Sequence, residues 1–474
     1  MKIIKKVKLI YIILFSFLLR ESLLLISLIA NSGSNGFIHG DSQSYINIAQ
    51  NLYINSKFYN HGHPEIIRTP AYPILLATAK LFGNYILFTI FIQILISCAT
   101  VYLIYKIALL IFKQNKYAVL SALLYSFEPF SVSYSCLILT ETLFTFFLIL
   151  SSYFLTKYFY NQSYSLLIIS AISISILAYV RPVSLYLPLL VFIAMVISIL
   201  ISKANLTKKM IIHSLIYLII SGIVLLPWLL RNGLVANYWK FSAIQDIVFY
   251  FFKAPAVLSI KYNIPYPELQ KEFGWSNLEN YFATHPEQRT WTQAEIIKYM
   301  GKEGRRIFFS NLNLYPKIYF KGLFIILLDP GSADILKIIN RYPKAGGAAN
   351  KIMKDGIFKG IIFLAKERTF LFILSIIMGI LLLIYYVTFL MGMFNKIKEN
   401  NNNNIIIFIF LAIIIYLIVV SSGEFAIGRY RHPIMPLICI FSGYFAKSVS
   451  NPKSNKIFNI DDATANYEVE NKKT

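Results

Sequence analysis

Long apolar runs separated by short basic connections set the pattern of this chain. The runs fall at approximately 8–30, 84–112, 118–130, 136–157, 164–180, 183–201, 210–230, 368–394, 404–420 and 433–448. A helix needs about 20 apolar residues to cross roughly 30 Å of hydrocarbon. Backbone groups in lipid must be satisfied within the span itself, which leaves helices or closed barrels, and these runs are too long for barrel strands. The pattern therefore predicts an all-α polytopic membrane protein with about ten or more transmembrane helices. No internal repeat stands out, which weakens an inverted-repeat transporter.

The polar stretches between the runs give the topology. With the N-terminal "KIIKK" placed in the cytoplasm, counting spans puts "KQNK" (113–116), "KANLTKK" (203–209) and "NKIKENNNNN" (395–404) on the same side. Their charge is an independent check on that count, since cytoplasmic loops collect Lys and Arg. The first apolar run lacks a clear small-residue cleavage site and reads as a retained helix. Two outer segments are long. Residues 31–83 form the first outer loop, and residues 231–367 carry three of the four Trp, several Pro and mixed charge, as a small extracytoplasmic domain would. The expected division is 1–230 as an N-terminal transmembrane module, 231–367 as the outer domain, 368–450 as the C-terminal helices and 451–474 as a flexible cytoplasmic tail. Within the outer domain, "FKGLFIILLDPG" has the character of a re-entrant or interfacial stretch.

Composition sharpens this picture. The 474 residues are 57% hydrophobic and 14% charged, with a mean hydropathy of +0.61, too apolar for soluble domains of ordinary size. A net charge of +23 would point to nucleic acid in a soluble protein, but here the lysines sit in short loops between spans and answer to membrane topology. Cys98, Cys136 and Cys439 lie in or beside apolar runs without metal-site spacing, so neither a disulfide framework nor a zinc site is supported.

Arginine breaks the positive-inside trend. Ten of the eleven arginines fall on the outer side or at its boundary, and only Arg20 lies inside a span. Arg68, Arg181, Arg231, Arg429 and Arg431 each sit within a few residues of an outer helix end. Planar guanidinium forks at headgroup depth suit a phosphate carried by a lipid. Ordinary phospholipid headgroups would explain any one of them.

Asp41, in "IHGDSQSYINIAQNLY" (38–53), opens an apolar stripe of Tyr45, Ile48, Ala49 and Leu52 at helical spacing. The plain reading is a helix N-cap. Beside a phosphate-binding cluster the same carboxylate could instead take a proton from an acceptor attacking a sugar's anomeric carbon while arginines hold the departing phosphate. No Walker motif, GxGxxG opening a helix or HExxH accompanies it. Glu128 and Glu141 mark the outer ends of the third and fourth spans, as helix caps or, for Glu141, as a wall of the site. Arg20 and Glu21 cannot share a helix face, so each is expected to find partners on other spans. His61 and His63, with Glu65 nearby, invite a metal reading but lack an evident completing ligand. Asn205 heads a formal glycosylation sequon on the cytoplasmic side. The 33 Tyr and 38 Phe suggest stacking platforms for sugars, but most are expected in interfacial belts and lipid-facing packing.

In order, "GDSQSYINIAQNL", "RTPAYPILLA", "EPFSVSYSCLILTETLF", "YVRPVSLYLPLL", "LPWLLRNGL" and "GRYRHPIMPL" resemble the pattern of the GT-C membrane glycosyltransferases, in particular the bacterial branch akin to protein mannosyltransferases and lipid A aminoarabinose transferases. Each motif alone is weak; their order spans nearly the whole chain. The resemblance implies a polyprenyl-phosphate-sugar donor, inverting transfer at the outer face of the cytoplasmic membrane, and Asp41 as base. It carries donor-phosphate contacts to Arg68, Arg181 and Arg429 or Arg431, with Tyr45, Tyr72, Glu141, Arg231 and Asn232 as further walls of the site. Arg231 with Asn232 matches a "PWxxRN" element expected to fix the start of the outer domain. Some relatives have Asp-Glu where this chain has Asp41-Ser42, which counts against a strict protein-mannosyltransferase assignment.

The expected function is thus transfer of a sugar from a polyprenyl-phosphate carrier to a lipid, glycan or protein acceptor, with no cofactor, no metal and no nucleic-acid partner. The competing classes are a lipid-linked glycan flippase or other transporter, and a lipid-linked glycan polymerase or ligase. Transporters place charge at the bilayer midplane; here it gathers at one face.

Overall fold

The computed structural model describes residues 8–201, 207–275, 277–343, 346–347, 357–399 and 404–445. The expectations for "KIIKK", Asn205, the asparagine run at 400–403 and the tail at 451–474 lie outside the described residues. The chain is a helical membrane protein. Ten helices make up its first half: α1 (Leu9–Ala30), α2 (Ser42–Asn55), α3 (Ala71–Ala79), α4 (Tyr85–Phe112), α5 (Asn115–Ser126), α6 (Pro129–Ser135), α7 (Glu141–Asn161), α8 (Tyr164–Val180), α9 (Leu187–Ile201) and α10 (Thr207–Ala236). Among the described residues the one sheet is a two-stranded hairpin, β1 (Tyr59–Asn60) with β2 (His63–Pro64).

Each of the ten apolar runs holds a helix, but among the described residues five helices are long and apolar enough to cross a membrane: α1, α4, α7, the Lys209–Ala236 part of α10, and Thr369–Lys398. The expected count of ten or more full crossings is therefore not carried by helix length. Two runs show why. The 118–130 run stops at Ser126 because Pro129 disfavours helix at Glu128, and the Glu128 carboxylate turns to cap α6, accepting from Phe130 N (3.2 Å) and Ser131 N (2.6 Å). The 433–448 run forms only Met435–Ser442, after a 3-10 turn over Gly428–Ile434. Both short helices are enclosed by neighbours, so protein partners satisfy their backbone. Ser121 Oγ donates to Ile440 O at 2.9 Å, and Tyr385 OH to Leu124 O at 2.7 Å.

Arg20, fully buried, ties α1 to this bundle. Its guanidinium donates to Ser97 Oγ on α4 (2.9 Å), Ser126 O on α5 (2.9 Å) and Ser131 Oγ on α6 (2.8 Å). Glu21 shares none of these contacts, as expected for adjacent residues on a helix.

The stretch after α10 folds around a small core built from Tyr238, Ile247, Tyr250, Phe251, Tyr281 and Ile297, which Ile66 of the first outer loop joins. It runs through α11 (Ile244–Val248), a π-helical turn (Phe249–Lys253), α12 (Ala254–Tyr262), α13 (Tyr266–Glu272), α14 (Leu278–Thr284) and α15 (Gln293–Ser310). Buried Asp246 organises it, receiving Tyr238 OH (2.6 Å), Lys240 Nζ (2.8 Å) and Arg305 Nη1 (2.5 Å). Burial alone would raise this carboxyl, but the three donors outweigh that and hold it below the usual range. A capping box between Thr292 and Glu295 starts α15.

The stretch singled out as re-entrant or interfacial is helix α16 (Tyr315–Leu328), followed by α17 (Ser332–Ile338). Gly322 lets α16 lie directly against Gly423, where a Cβ would stand 2.2 Å from the Gly423 carbonyl oxygen. The chain then re-enters the bundle through α18 (Ile357–Glu367), α19 (Thr369–Lys398), α20 (Asn404–Ser421) and α21 (Met435–Ser442). The loop after α20 is thereby clamped between α16 and the bundle, and it carries Arg429.

Candidate functional site

The site is assembled from the first turn of α2 outwards. Gly40 has φ +54°, a left-handed conformation that glycine adopts at no steric cost. It turns the chain so that Asp41 precedes α2 with its carboxylate free of the helix end: Asp41 makes no side-chain capping bond. Ser42 serves the local turn instead, its Oγ accepting from His39 N (3.0 Å) and donating to His39 O (2.7 Å). The plain N-cap reading of Asp41 is thus corrected. Its two oxygens go to two arginines, with Arg68 Nη2 donating to Oδ1 at 2.8 Å and Arg429 Nη2 to Oδ2 at 2.7 Å.

Arg68 is aimed by its neighbours. Glu65 Oε1 accepts from Ile67 N (2.5 Å) and Arg68 N (2.9 Å), fixing the turn, and the guanidinium lies 5.0 Å from the centre of the Tyr45 ring. Tyr72 backs Tyr45 edge-on at 5.2 Å, with its hydroxyl anchored on Gln93 Oε1 at 2.8 Å. Buried Glu65 therefore faces backbone and not His61 or His63, which weakens the metal reading of that loop. Among the described residues no three His, Cys, Asp or Glu side chains gather into a metal-binding group. The two carboxylates of the site are engaged by guanidinium groups.

Glu141, at the first position of α7 and only 1% exposed, continues the cluster. Arg181 Nη1 approaches its Oε1 at 2.8 Å, and Arg429 Nε approaches the same oxygen at 3.3 Å. Glu141 Oε2 is buried with no hydrogen-bond partner. Arg181 sits where α8 must stop, since Pro182 follows it. Tyr430 lies between the cations, its ring centre 5.4 Å from the Arg181 guanidinium and 5.5 Å from that of Arg429. The result is an alternating row of Arg68, Asp41, Arg429, Glu141 and Arg181, with three positive and two negative side chains.

Such a row carries one net positive charge. Burial alone would raise the Asp41 carboxyl, yet Arg68 and Arg429 outweigh burial and hold it well below the ordinary carboxylate range. In this state Asp41 is a weak base. An incoming phosphate that draws the guanidinium forks onto its own oxygens would return basicity to Asp41.

The remaining candidates stand apart. Arg431, 1% exposed, donates to Ile326 O and, at 2.7 Å, to Asp329 O, over the Phe130 ring. It staples the end of α16 to the 3-10 turn and does not join the row. Arg231 donates to Glu65 O (2.6 Å) and Phe58 O (2.9 Å), tying the hairpin to α10. Asn232 Nδ2 donates to Lys240 O (3.1 Å) and Phe241 O (3.0 Å), which fastens the 240–241 segment to the end of α10.

Sequence reasoning missed Tyr430 and His432. Both lie inside the quoted "GRYRHP", where attention went to the arginines. His432 Nδ1 is 3.1 Å from Thr145 Oγ1, close behind Glu141.

Residues 68–230 match the family model described as dolichyl-phosphate-mannose-protein mannosyltransferase. By structure, the apo oligosaccharyltransferase of Archaeoglobus fulgidus aligns with 94% of this chain and 51% of its own, at TM-score 0.52 and 12% identity. This chain and that oligosaccharyltransferase share a fold. The oligosaccharyltransferase AglB from Archaeoglobus fulgidus, in complex with an inhibitory peptide and a dolichol-phosphate, gives a TM-score of 0.47 at 12% identity, over 92% of this chain and 50% of that one. ArnT from Cupriavidus metallidurans, bound to undecaprenyl phosphate, gives 0.40 at 11% identity, over 91% and 78%. The chain spans about half the length of the archaeal enzymes it matches. No curated protein matches it in sequence.

Proposed function

We propose that the chain transfers a sugar from a polyprenyl-phosphate carrier to a hydroxyl or amine of a lipid, glycan or protein acceptor, at the outer face of a bacterial-type cytoplasmic membrane. The observation that carries this reading is the shared clamp on Asp41, one carboxylate held by two guanidinium groups from segments 388 residues apart in one case and 27 in the other.

The chemistry follows from that clamp. Arg68, Arg429 and Arg181 turn to the oxygens of the donor phosphodiester. The acceptor oxygen or nitrogen bonds to the anomeric carbon as the bond from that carbon to the phosphate oxygen breaks, with inversion. Asp41 takes the acceptor's proton. The polyprenyl phosphate leaves as a dianion, and its added charge falls to the arginines, which are already in place and need no reorganisation. Glu141 keeps Arg181 and Arg429 oriented. A phosphate of the carrier is a good leaving group, so one base and a cationic row suffice.

A flippase would be expected to hold its charge near the bilayer midplane, whereas this row joins helix ends and loops. A polymerase or ligase working on lipid-linked chains would use the same row. The test is transfer by purified protein in liposomes with polyprenyl-phosphate sugars, comparing the native chain with Asp41→Asn. The expected loss is at least about a hundredfold, the scale of a general base. Unchanged turnover ends the assignment of Asp41, and translocation without bond cleavage supports the flippase.

A further inference from the structure

A cavity of about 240 Å³ is lined in part by Pro182, Tyr186, Trp239, Lys240, Ser242 and Gln245. Its walls are continuous with two of the site arginines. Pro182 directly follows Arg181. On the other side, Ser242 Oγ donates to Ile67 O at 2.6 Å and Ala243 N to Ile66 O at 2.8 Å, zipping the 242–243 segment to the backbone that leads into Arg68. A ligand seated here would lie alongside the phosphate-binding row.

The lining has a particular chemistry. Trp239 is 57% exposed and Tyr186 52% exposed, two large aromatic rings left open on one small cavity. The Trp239 ring is held against Gly233 of α10, where a Cβ would stand 2.5 Å from ring carbon Cε3. An aromatic of the interfacial belt needs no such seat. Next to the rings are polar groups without competing duties: neither the Gln245 amide nor the Trp239 indole N–H is hydrogen-bonded to other described residues. Lys240, by contrast, is already committed to Asp246 at 2.8 Å.

Aromatic faces with a few polar groups at their rim are what a pyranose or furanose ring requires. Its axial C–H groups pack on the ring face while its hydroxyls find donors and acceptors at the edge. The volume is below the roughly 300–1,000 Å³ of pockets for drug-sized ligands, which fits a single sugar ring. We propose that the cavity between the 182–186 turn and the 239–245 segment is a monosaccharide subsite, with Trp239 as its stacking platform and Gly233 as the seat of that ring. This rests on the glycosyl-transfer reading and adds to it the residues that select the sugar. The ring belongs to the donor sugar or to an acceptor glycan, which share this chemistry.

The probe is a panel of methyl hexosides and methyl pentosides, titrated into the purified full-length protein and followed by saturation-transfer NMR. Saturable binding is expected for at least one glycoside. Trp239→Ala should weaken it roughly tenfold or more, the order of a lost aromatic platform, and Trp239→Phe should recover part of the loss. Gly233→Ala keeps the indole but drives it from its seat, and should weaken binding without removing any aromatic group. Thermal melting of each variant confirms that it is folded. Displacement of the glycoside by a polyprenyl-phosphate sugar, but not by bare polyprenyl phosphate, marks the donor's ring; binding indifferent to both marks the acceptor's. Glycoside binding is read without turnover, so a failed base assignment and a failed subsite give different results. No saturable binding across the panel, or binding untouched by Trp239→Ala and Gly233→Ala, overturns the subsite.

Discussion

Two sets of arginines in this molecule use the same side chain in opposite ways. Arg68, Arg181 and Arg429 point at the carboxylates of Asp41 and Glu141. Arg20, Arg231 and Arg431 point at backbone carbonyls, aided in the first two by side-chain oxygens. A guanidinium bound to a carboxylate can exchange that partner for phosphate oxygens, since both present the same planar pair of acceptors. One bound to buried carbonyls cannot leave without stranding them. The first set is therefore suited to binding and release, and the second to holding helices and loops in place.

Arg429 and Arg431, two residues apart, offer the sharpest way to break this division. Arg429→Met removes the cation that, among the described residues, alone touches both Asp41 and Glu141, and the expected loss in kcat is about 100- to 1,000-fold, as for removal of a preorganised donor to developing charge. Its melting temperature should move little, because Arg68 still pairs with Asp41 and Arg181 with Glu141. Arg431→Met should do the reverse. Each carbonyl left without a donor costs about 1–3 kcal/mol, while transfer per folded molecule is retained. Equal effects of the two substitutions on both readouts would abolish the distinction.

A smaller effect sharpens the comparison through pH. In the resting site the Asp41 carboxyl lies below its ordinary value of about 3.9. The stability it contributes is present above that ordinary value and is lost only as pH falls through the lower folded value, so it is constant between about pH 7 and 5. The kcat/KM profile, which reports the free enzyme, should accordingly show no acid limb from Asp41 in that range. Once phosphate has drawn off the guanidinium groups, the carboxyl rises, and kcat, which reports the bound complex, should show one. The same acid limb in both profiles would mean that the arginines do not change partners.

How much of this was legible in the sequence differs between fold and site. The apolar runs each hold a helix, because lipid makes hydrophobicity obligatory along a span, but the short α3 and most of α6 fall outside them. They did not show which helices stop short. Ser126 and Ser442 end their helices through Pro129, Gly443 and contacts with distant segments, and enclosed short helices are as apolar as crossing ones. The arginine bias singled out Arg68, Arg181 and Arg429, which the structure brings together. It could not separate them from Arg231 and Arg431, because outer helix ends supply both kinds of partner and only tertiary packing decides between a carboxylate and a carbonyl. Asp41 looked like an N-cap for the same reason: local sequence offers the cap, while the arginines that compete for it lie 27 and 388 residues away.

Arg231→Lys is the mildest test. The native fork spans two carbonyls of different residues, Phe58 O and Glu65 O, on either side of the 59–64 hairpin, and it stacks 4.9 Å from the centre of the Trp228 ring. A lysine keeps the charge but is a point donor without the planar fork, so it reaches one of the two carbonyls. The expected cost is about 1 kcal/mol, read as a lower melting temperature and faster proteolysis within the hairpin. Arg68 is held by Glu65 through backbone N–H groups, and Arg231 grips the Glu65 carbonyl, so a loosened hairpin should reach the site only through this one link. A modest rise in KM for the lipid-linked donor with kcat unchanged would show that link at work. A fall in kcat as large as that of Arg429→Met would place Arg231 with the exchanging arginines after all.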